Sequence, residues 1–228
     1  MKFGFLKQSL VDYPGEVCAV IFIPGCNFHC PYCHNQNLEA DAEQNGWTLE
    51  QILCYLQNAR RLLTGVCISG GEPTLQEDLL TQLIERFKVL NLKIKLDTNG
   101  SRSEVLREIA PCADYVAMDL KTSFKRYPKL AHPNEAPALL SNLKASVEIL
   151  LQRSPETYEF RTTLSPFWAD EDALHDIGRM ISEQSHWYLQ RCRGRKPQTA
   201  FERLEEEHRL QRAVDIAKSY SNYVNLRR

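Results

Sequence analysis

The chain has 228 residues, a length that suits one α/β domain built around a single core. Its 28 Lys and Arg residues are balanced by 29 Asp and Glu residues, so it lacks the basic surplus that would favour nucleic acid or an anionic membrane as main partner. The N-terminal segment MKFGFLKQSLVDYPG lacks the uninterrupted apolar core of a signal peptide, and no window approaches the length of a membrane span; the expected setting is cytoplasmic and reducing.

Residues 17–23 (VCAVIFI) form a β-branched, nearly all-apolar run, as expected of a strand covered on both faces in a parallel sheet, and the run stops at Pro24 and Gly25. Thr48 is placed to cap a helix with Ile52, Leu53, Leu56 and Ala59 on one face. An apolar strand at 66–68 leads into SGGEPT (69–74), and a helix over 77–90 carries Leu79, Leu80, Leu83, Ile84 and Phe87 at helical spacing. There follow a strand ending at DTNG (97–100), a helix over 103–109, and a strand over 115–118 that ends at Asp119, Leu120 and Lys121. Further on come a helix over 137–152, a strand over 158–164, a helix over 171–182 and a strand over 187–190. A charged helix over 201–219 and an edge strand over 223–226 close the chain, and residues 191–199 (RCRGRKPQT) read as an exposed basic loop. His132, His175, His186 and His208 read as surface residues. Strand and helix thus alternate about six times, which predicts a parallel sheet, either doubly wound or curled into part of a barrel. In both geometries ligands gather at the carboxyl ends of the strands, and each motif noted here falls at such an end.

The stretch PGCNFHCPYCHN (24–35) spaces Cys26, Cys30 and Cys33 as C-x-x-x-C-x-x-C, close enough to fold over one inorganic cluster. Four thiolates hold an ordinary 4Fe-4S centre, so three leave one iron open to a small molecule with donor atoms. A structural zinc site would need a fourth ligand from His29 or His34, both sequence neighbours of a cysteine that rarely point the same way. Three thiols cannot all pair among themselves as disulfides. The other cysteines within apolar runs, Cys18, Cys54, Cys67 and Cys112, read as small buried hydrophobes. Gly70 and Gly71 let a backbone pass close to a ligand, and free backbone groups on that turn could hold the amino group of an amino-acid-like molecule able to chelate the open iron. Each remaining motif also has an ordinary structural reading. DTNG is a respectable turn and helix cap, Asp119 and Lys121 can form an ion pair on one strand face, and Arg161 inside an apolar strand calls for a carboxylate.

The cysteine spacing, with Tyr32 before the last thiol and a GGEP turn one strand later, resembles the radical S-adenosylmethionine superfamily. DYPG (12–15), YCHN (32–35), LDTNG (96–100) and DYVAMDLK (114–121) further resemble the activating enzymes of glycyl-radical enzymes, most closely the activating proteins of anaerobic ribonucleoside-triphosphate reductase, over about residues 1–190. The resemblance implies a partial (β/α)6 TIM-like barrel in one domain over 1–228, with its core at about 15–190 and a helix and tail at about 200–228. It implies a [4Fe-4S] cluster on Cys26, Cys30 and Cys33, and S-adenosyl-L-methionine contacted by Tyr32, Gly70, Gly71, Glu72, Asp97, Asn99 and Lys121. Tyr32 would lie near the adenine, the GGE turn near the methionyl amine, and Asp97 and Lys121 near the ribose or carboxylate; in some relatives the positions of Asp97, Thr98 and Asp119 also surround a monovalent cation. The implied partners are a glycyl-radical enzyme, anaerobic ribonucleotide reductase first, and an external electron donor such as flavodoxin or ferredoxin. One departure stands out: where some activators carry a histidine after the last barrel strand, this chain has Gln190, Arg191, Cys192 and Arg193. Two rival readings are a small-molecule enzyme resembling 7-carboxy-7-deazaguanine synthase, which needs a substrate pocket and a magnesium site, and a non-catalytic Fe-S or zinc module.

Overall fold

The computed structural model describes residues 1–133, 135–192 and 199–227. They form two compact units: Met1–Asn27 with His34–Ala117, and Phe28–Cys33 with the chain from Met118 onward. The boundary cuts the cysteine loop after Asn27 and the fifth strand after Ala117.

In the first unit the chain runs β1 (Gly4–Ser9), β2 (Cys18–Ile23), α1 (Leu38–Asn45), α2 (Leu49–Ala59), β3 (Gly65–Gly70), α3 (Glu77–Val89), β4 (Lys93–Thr98) and α4 (Ser103–Ile109), and enters β5 (Tyr115–Asp119). β1 lies antiparallel to β2, whereas β2, β3 and β4 are parallel, with Ile23 opposite Gly70 and Ile68 opposite Leu96. The apolar run of β2 is buried on both faces. One face joins Tyr13, Cys18, Val20, Cys67 and Tyr115 in a core cluster, so the tyrosine of the DYPG segment is a packing residue. Thr48 forms a capping box with Gln51 at the start of α2, and Ile52 and Leu56 are the buried face of that helix. α3 buries Leu80, Leu83, Ile84 and Phe87, with Glu77 and Asp78 in its first turn and Arg86 and Lys88 in its last, an order that suits the helix dipole.

The second unit holds the end of β5, then α5 (Ala136–Leu151), β6 (Tyr158–Leu164), α6 (Glu171–Gly178), β7 (His186–Arg191), α7 (Ala200–Lys218) and β8 (Tyr223–Arg227). β6, β7 and β8 pair in parallel in that order. Trp187 is fully buried and donates its indole N–H to Thr162 Oγ1 (3.0 Å), which donates to Leu120 O (2.8 Å). The fully buried Glu159 receives both arms of Arg227 at 3.0 and 2.8 Å. Of the charged α7, Leu210, Ala213 and Ala217 are buried, one stripe at i, i+3 and i+7.

Several expectations need correction. β1 and α1 are present although their sequences gave no sign of either. α6 stops at Gly178, short of the expected 182: past it the backbone tightens to an i→i−3 bond from Met180 N–H to Ile177 O (2.9 Å), while the Tyr220 ring packs 2.3 Å from where a Cβ of Gly178 would be and its hydroxyl lies 2.9 Å from His175 Nδ1. Cys54 and Cys112 are exposed, so only Cys18 and Cys67 of the four serve as packing. His175 is partly buried against Tyr220, and His186 is partly buried and stacks on Tyr223. Most of the expected basic loop, 193–198, lies outside the described residues.

Candidate active site

In the first unit the turn after β3 grips the start of the cysteine loop. Gly71 N–H donates to Ile23 O (2.9 Å), Glu72 N–H to Gly25 O (2.8 Å), and Gln76 Nε2 to Pro24 O (2.8 Å). On the far side of the loop Asn35 Nδ2 donates to Gly70 O (3.0 Å). The approach demands glycine. Gly70 has φ +132°, and a Cβ on Gly71 would lie 1.9 Å from Gly25 O.

Glu72 is fully buried. Its carboxylate accepts Thr74 N–H (3.1 Å), Thr74 Oγ1 (2.6 Å), Thr98 Oγ1 (2.7 Å) and Asn99 N–H (2.5 Å). Burial pushes its carboxyl above the usual range, against these donors. Asn99 in turn donates from Nδ2 to Asn27 Oδ1 (3.0 Å), and Asn27 Nδ2 donates to Ser101 Oγ (2.9 Å). Asp97 pairs with Lys95, a buried cation whose ammonium also lies 3.7 Å from Cys67 Sγ.

In the second unit Cys30, Tyr32 and Cys33 keep company with the residues after β5. The loop is held by His29 N–H to Leu130 O (2.7 Å), an isolated bridge from Phe28 to Ala131, and the Phe28 ring against Tyr127. Tyr127 is fully buried, and its hydroxyl accepts the Lys121 backbone N–H at 2.8 Å. Lys121 Nζ meets Asp119 Oδ2 at 2.9 Å, and Arg161 Nε meets Asp119 Oδ1 at 2.8 Å. Burial opposes the Asp119 charge most strongly, but Arg161 and Lys121 outweigh it and hold the carboxyl below the usual range. Burial likewise opposes the Lys121 charge, and Asp119, Cys30 and Tyr32 together raise it well above its ordinary value. The Cys30 thiol is pushed up by burial, with Lys121 acting to lower it. Tyr32 Oη is the one buried side-chain polar atom among the described residues without a hydrogen-bond partner.

The sequence-derived candidates therefore divide between the units. Cys26, Gly70, Gly71, Glu72, Asp97 and Asn99 lie in the first, and Cys30, Tyr32, Cys33 and Lys121 in the second. Cys26, Cys30 and Cys33 are thiols outside any disulfide within eight consecutive positions, two of them exposed and Cys30 half-buried, a soft donor set suited to an iron-sulfur cluster. Both Glu72 oxygens accept protein donors, Oε1 from Thr74 and Thr98 and Oε2 from Asn99, so the side chain shapes the turn. Asn99 is likewise occupied within the protein. His29 turns its Nε2 toward His132 Nδ1 (3.4 Å), and Arg191 is taken up by Glu206 through two bonds of 2.9 and 2.7 Å. Arg161 meets a carboxylate as its apolar surroundings required. Asn27, Ser101, Lys95 and Tyr127 were missed. Of these only Lys95 carried a signal, a cation between Ile94 and Leu96 much as Arg161 lies in its own strand.

Residues 20–177 match the family described as the Radical SAM superfamily. A relative in Methanocaldococcus jannaschii, provisionally described as a glycyl-radical enzyme activating enzyme, is 31% identical over 98% of this chain and 94% of its own. A pyruvate formate-lyase-activating enzyme of Clostridium pasteurianum is 34% identical over half of each chain. A radical SAM methyltransferase from Sphaerobacter thermophilus superposes on 94% of this chain and 67% of its own with a TM-score of 0.63 at 18% identity, a likeness of fold. The chain belongs to the radical SAM superfamily, whose mostly parallel, partial TIM-like α/β fold it has and whose members use a [4Fe-4S] cluster and S-adenosylmethionine. Within that superfamily its place is among the activating enzymes.

Proposed function

We propose that this chain is a radical S-adenosylmethionine activase that removes a hydrogen from a glycine Cα of a partner enzyme, with anaerobic ribonucleotide reductase as that partner. Cys26, Cys30 and Cys33 hold the [4Fe-4S] cluster. Tyr32, the backbone at Gly70 and Gly71, Asp97 and Lys121 contact S-adenosylmethionine. When bound, the reduced cluster and this cofactor supply a 5'-deoxyadenosyl radical. An external reductant of the flavodoxin or ferredoxin kind feeds the cluster, and the whole chain acts as one catalytic domain in the cytoplasm.

The observation that carries the reading is the trio of closely spaced thiols, none in a disulfide, in a loop whose start is clamped by a side-chain-free glycine turn. Three donors leave one iron for the cofactor. Lys121 favours the thiolate form of Cys30 against burial, while Asp119, fixed by Arg161, holds the lysine in place. The unpartnered Tyr32 hydroxyl, buried as it stands, has a hydrogen bond to give to a ligand. The choice of partner rests on the DYPG, YCHN, LDTNG and DYVAMDLK segments.

The test is anaerobic reconstitution, followed by reduction with S-adenosylmethionine in the presence and absence of the reductase. The expected result is 5'-deoxyadenosine together with a glycine-centred paramagnetic signal on the reductase. Deoxyadenosine without that signal rejects the partner, and no cofactor cleavage at all rejects the activity.

A further inference from the structure

We propose that Asn27 is a positioning residue that locks Cys26 in register with the turn after β4, and that affinity for S-adenosylmethionine depends on this lock. The inference rests on the activase reading and adds a residue to which nothing in the superfamily motif assigns a task.

The Cys26 side chain is exposed. Its two neighbours in the chain are both fixed, and by the same residue at one remove. Glu72 binds Gly25 O through its backbone N–H, and through its side chain it receives Asn99 N–H. Asn99 then holds Asn27. The circuit leaves Glu72, passes through the β4 turn, and returns to the residue on the other side of the cysteine. Asn27, Asn99 and Ser101 are 5%, 5% and 1% exposed, so water cannot substitute for a lost bond without rearrangement.

The circuit also has a direction. Ser101 N–H donates to Asn99 Oδ1 at 2.9 Å, which leaves Asn99 Nδ2 as the end facing Asn27. Asn27 must then present its oxygen to Asn99 and its amide nitrogen to Ser101. A carboxamide with both ends assigned is held in orientation as well as position. Asp97 lies two residues before Asn99 in the chain, so the segment that carries a proposed cofactor contact is tied to the first cluster thiol by side-chain bonds spanning 72 and 74 positions. Buried amide networks of this kind specify one arrangement of a loop that backbone bonding alone leaves freer.

The experiment compares wild type with Asn27→Ala and Ser101→Ala. In cofactor-free protein, hydrogen exchange at amides 99–101 is expected to speed up about tenfold in Asn27→Ala. In reconstituted protein the KM for S-adenosylmethionine is expected to rise about tenfold in Asn27→Ala and about threefold in Ser101→Ala, with kcat within about threefold of wild type. The change that S-adenosylmethionine produces in the paramagnetic spectrum of the reduced cluster should need correspondingly more cofactor. Wild-type KM and spectral response in Asn27→Ala overturn the proposal, even if exchange accelerates, because the lock is then only structural. Should Asn27→Ala fold poorly, Ser101→Ala decides by the same readings, since it removes one bond and leaves the Asn27–Asn99 contact. If wild type neither holds a cluster nor cleaves the cofactor, the activase reading fails. The exchange arm then stands alone, and unchanged exchange at 99–101 overturns the lock.

Discussion

Glu72 Oε2 accepts the backbone N–H of Asn99 across 2.5 Å, and this bond ties the turn after β3 to the turn after β4. Both protons that the carboxylate receives from backbone, at Thr74 and Asn99, come from groups that can only donate. Glu72→Gln therefore sets an amide N–H₂ against an N–H whichever way the side chain is turned. The expected cost is about 1–3 kcal/mol, a loss of about 2–4 °C in Tm for each kcal/mol in a chain of this length. Thermal unfolding of the cofactor-free protein measures it, and an unchanged Tm would mean that the carboxylate is not held in this way.

Gly71→Ala is expected to disable the cysteine loop. The added methyl would stand 1.9 Å from Gly25 O and 3.1 Å from Cys26 N, backbone atoms that cannot step aside as a side chain can. Iron and sulfide retained after anaerobic reconstitution should fall at least about twofold relative to wild type. Full retention would show that the loop does not need this close approach.

Cys30→Ala should abolish cofactor cleavage, whereas Cys54→Ser and Cys112→Ser, at exposed positions, should leave iron content and cleavage unaltered. The assay is deoxyadenosine formed per iron. Cleavage by Cys30→Ala at the wild-type rate would remove Cys30 from the ligand set.

Asp119→Asn leaves Arg161 and Lys121 without their shared anion. Because the folded carboxyl is held below its ordinary value of 3.8, its contribution is present above that pH and is lost as the pH falls toward the folded value. The side chain is 30% exposed, so solvent screening reduces the effect, and the expected loss at neutral pH is about 1–2 kcal/mol. Urea unfolding should show the difference between wild type and variant narrowing as the pH drops below about 4. A difference independent of pH would point to packing and not to charge.

Alkaline stability tests the buried thiol of Cys18. Burial raises it from 9.0 to about 11, followed in effect by Asp12. A raised folded value means that the contribution is intact below 9.0 and drains away as the pH climbs through about 11. Wild type should lose about 2–3 kcal/mol more than Cys18→Ala over that interval, read by urea unfolding at a series of pH values. Parallel curves for the two proteins would rule out the thiol as the source.

Much of this was legible in the amino-acid order, and the reason is local. The β2 run, the α2 capping box at Thr48 and Gln51, and the stripe of α3 are set by patterns within a dozen residues, which is the range over which strand and helix periodicities act. The three thiols were equally plain, since their spacing is itself the chemistry. β1 escaped notice because its exposed edge residues give it no apolar run, and the ring that fills the space beside Gly178 in α6 comes from Tyr220, some forty positions later.

By itself, then, the sequence determined the order of strands and helices apart from β1 and α1, the sulfur donors and the glycine turn beside them. Only the tertiary structure decided what the polar side chains do: Glu72 closes a turn, Asn27 reaches Asn99 and Ser101, and Asp119 is shared by Lys121 and Arg161. The physical reason is that a buried carboxylate or carboxamide is defined by whichever donors surround it, and those donors come from strand ends distant in the chain.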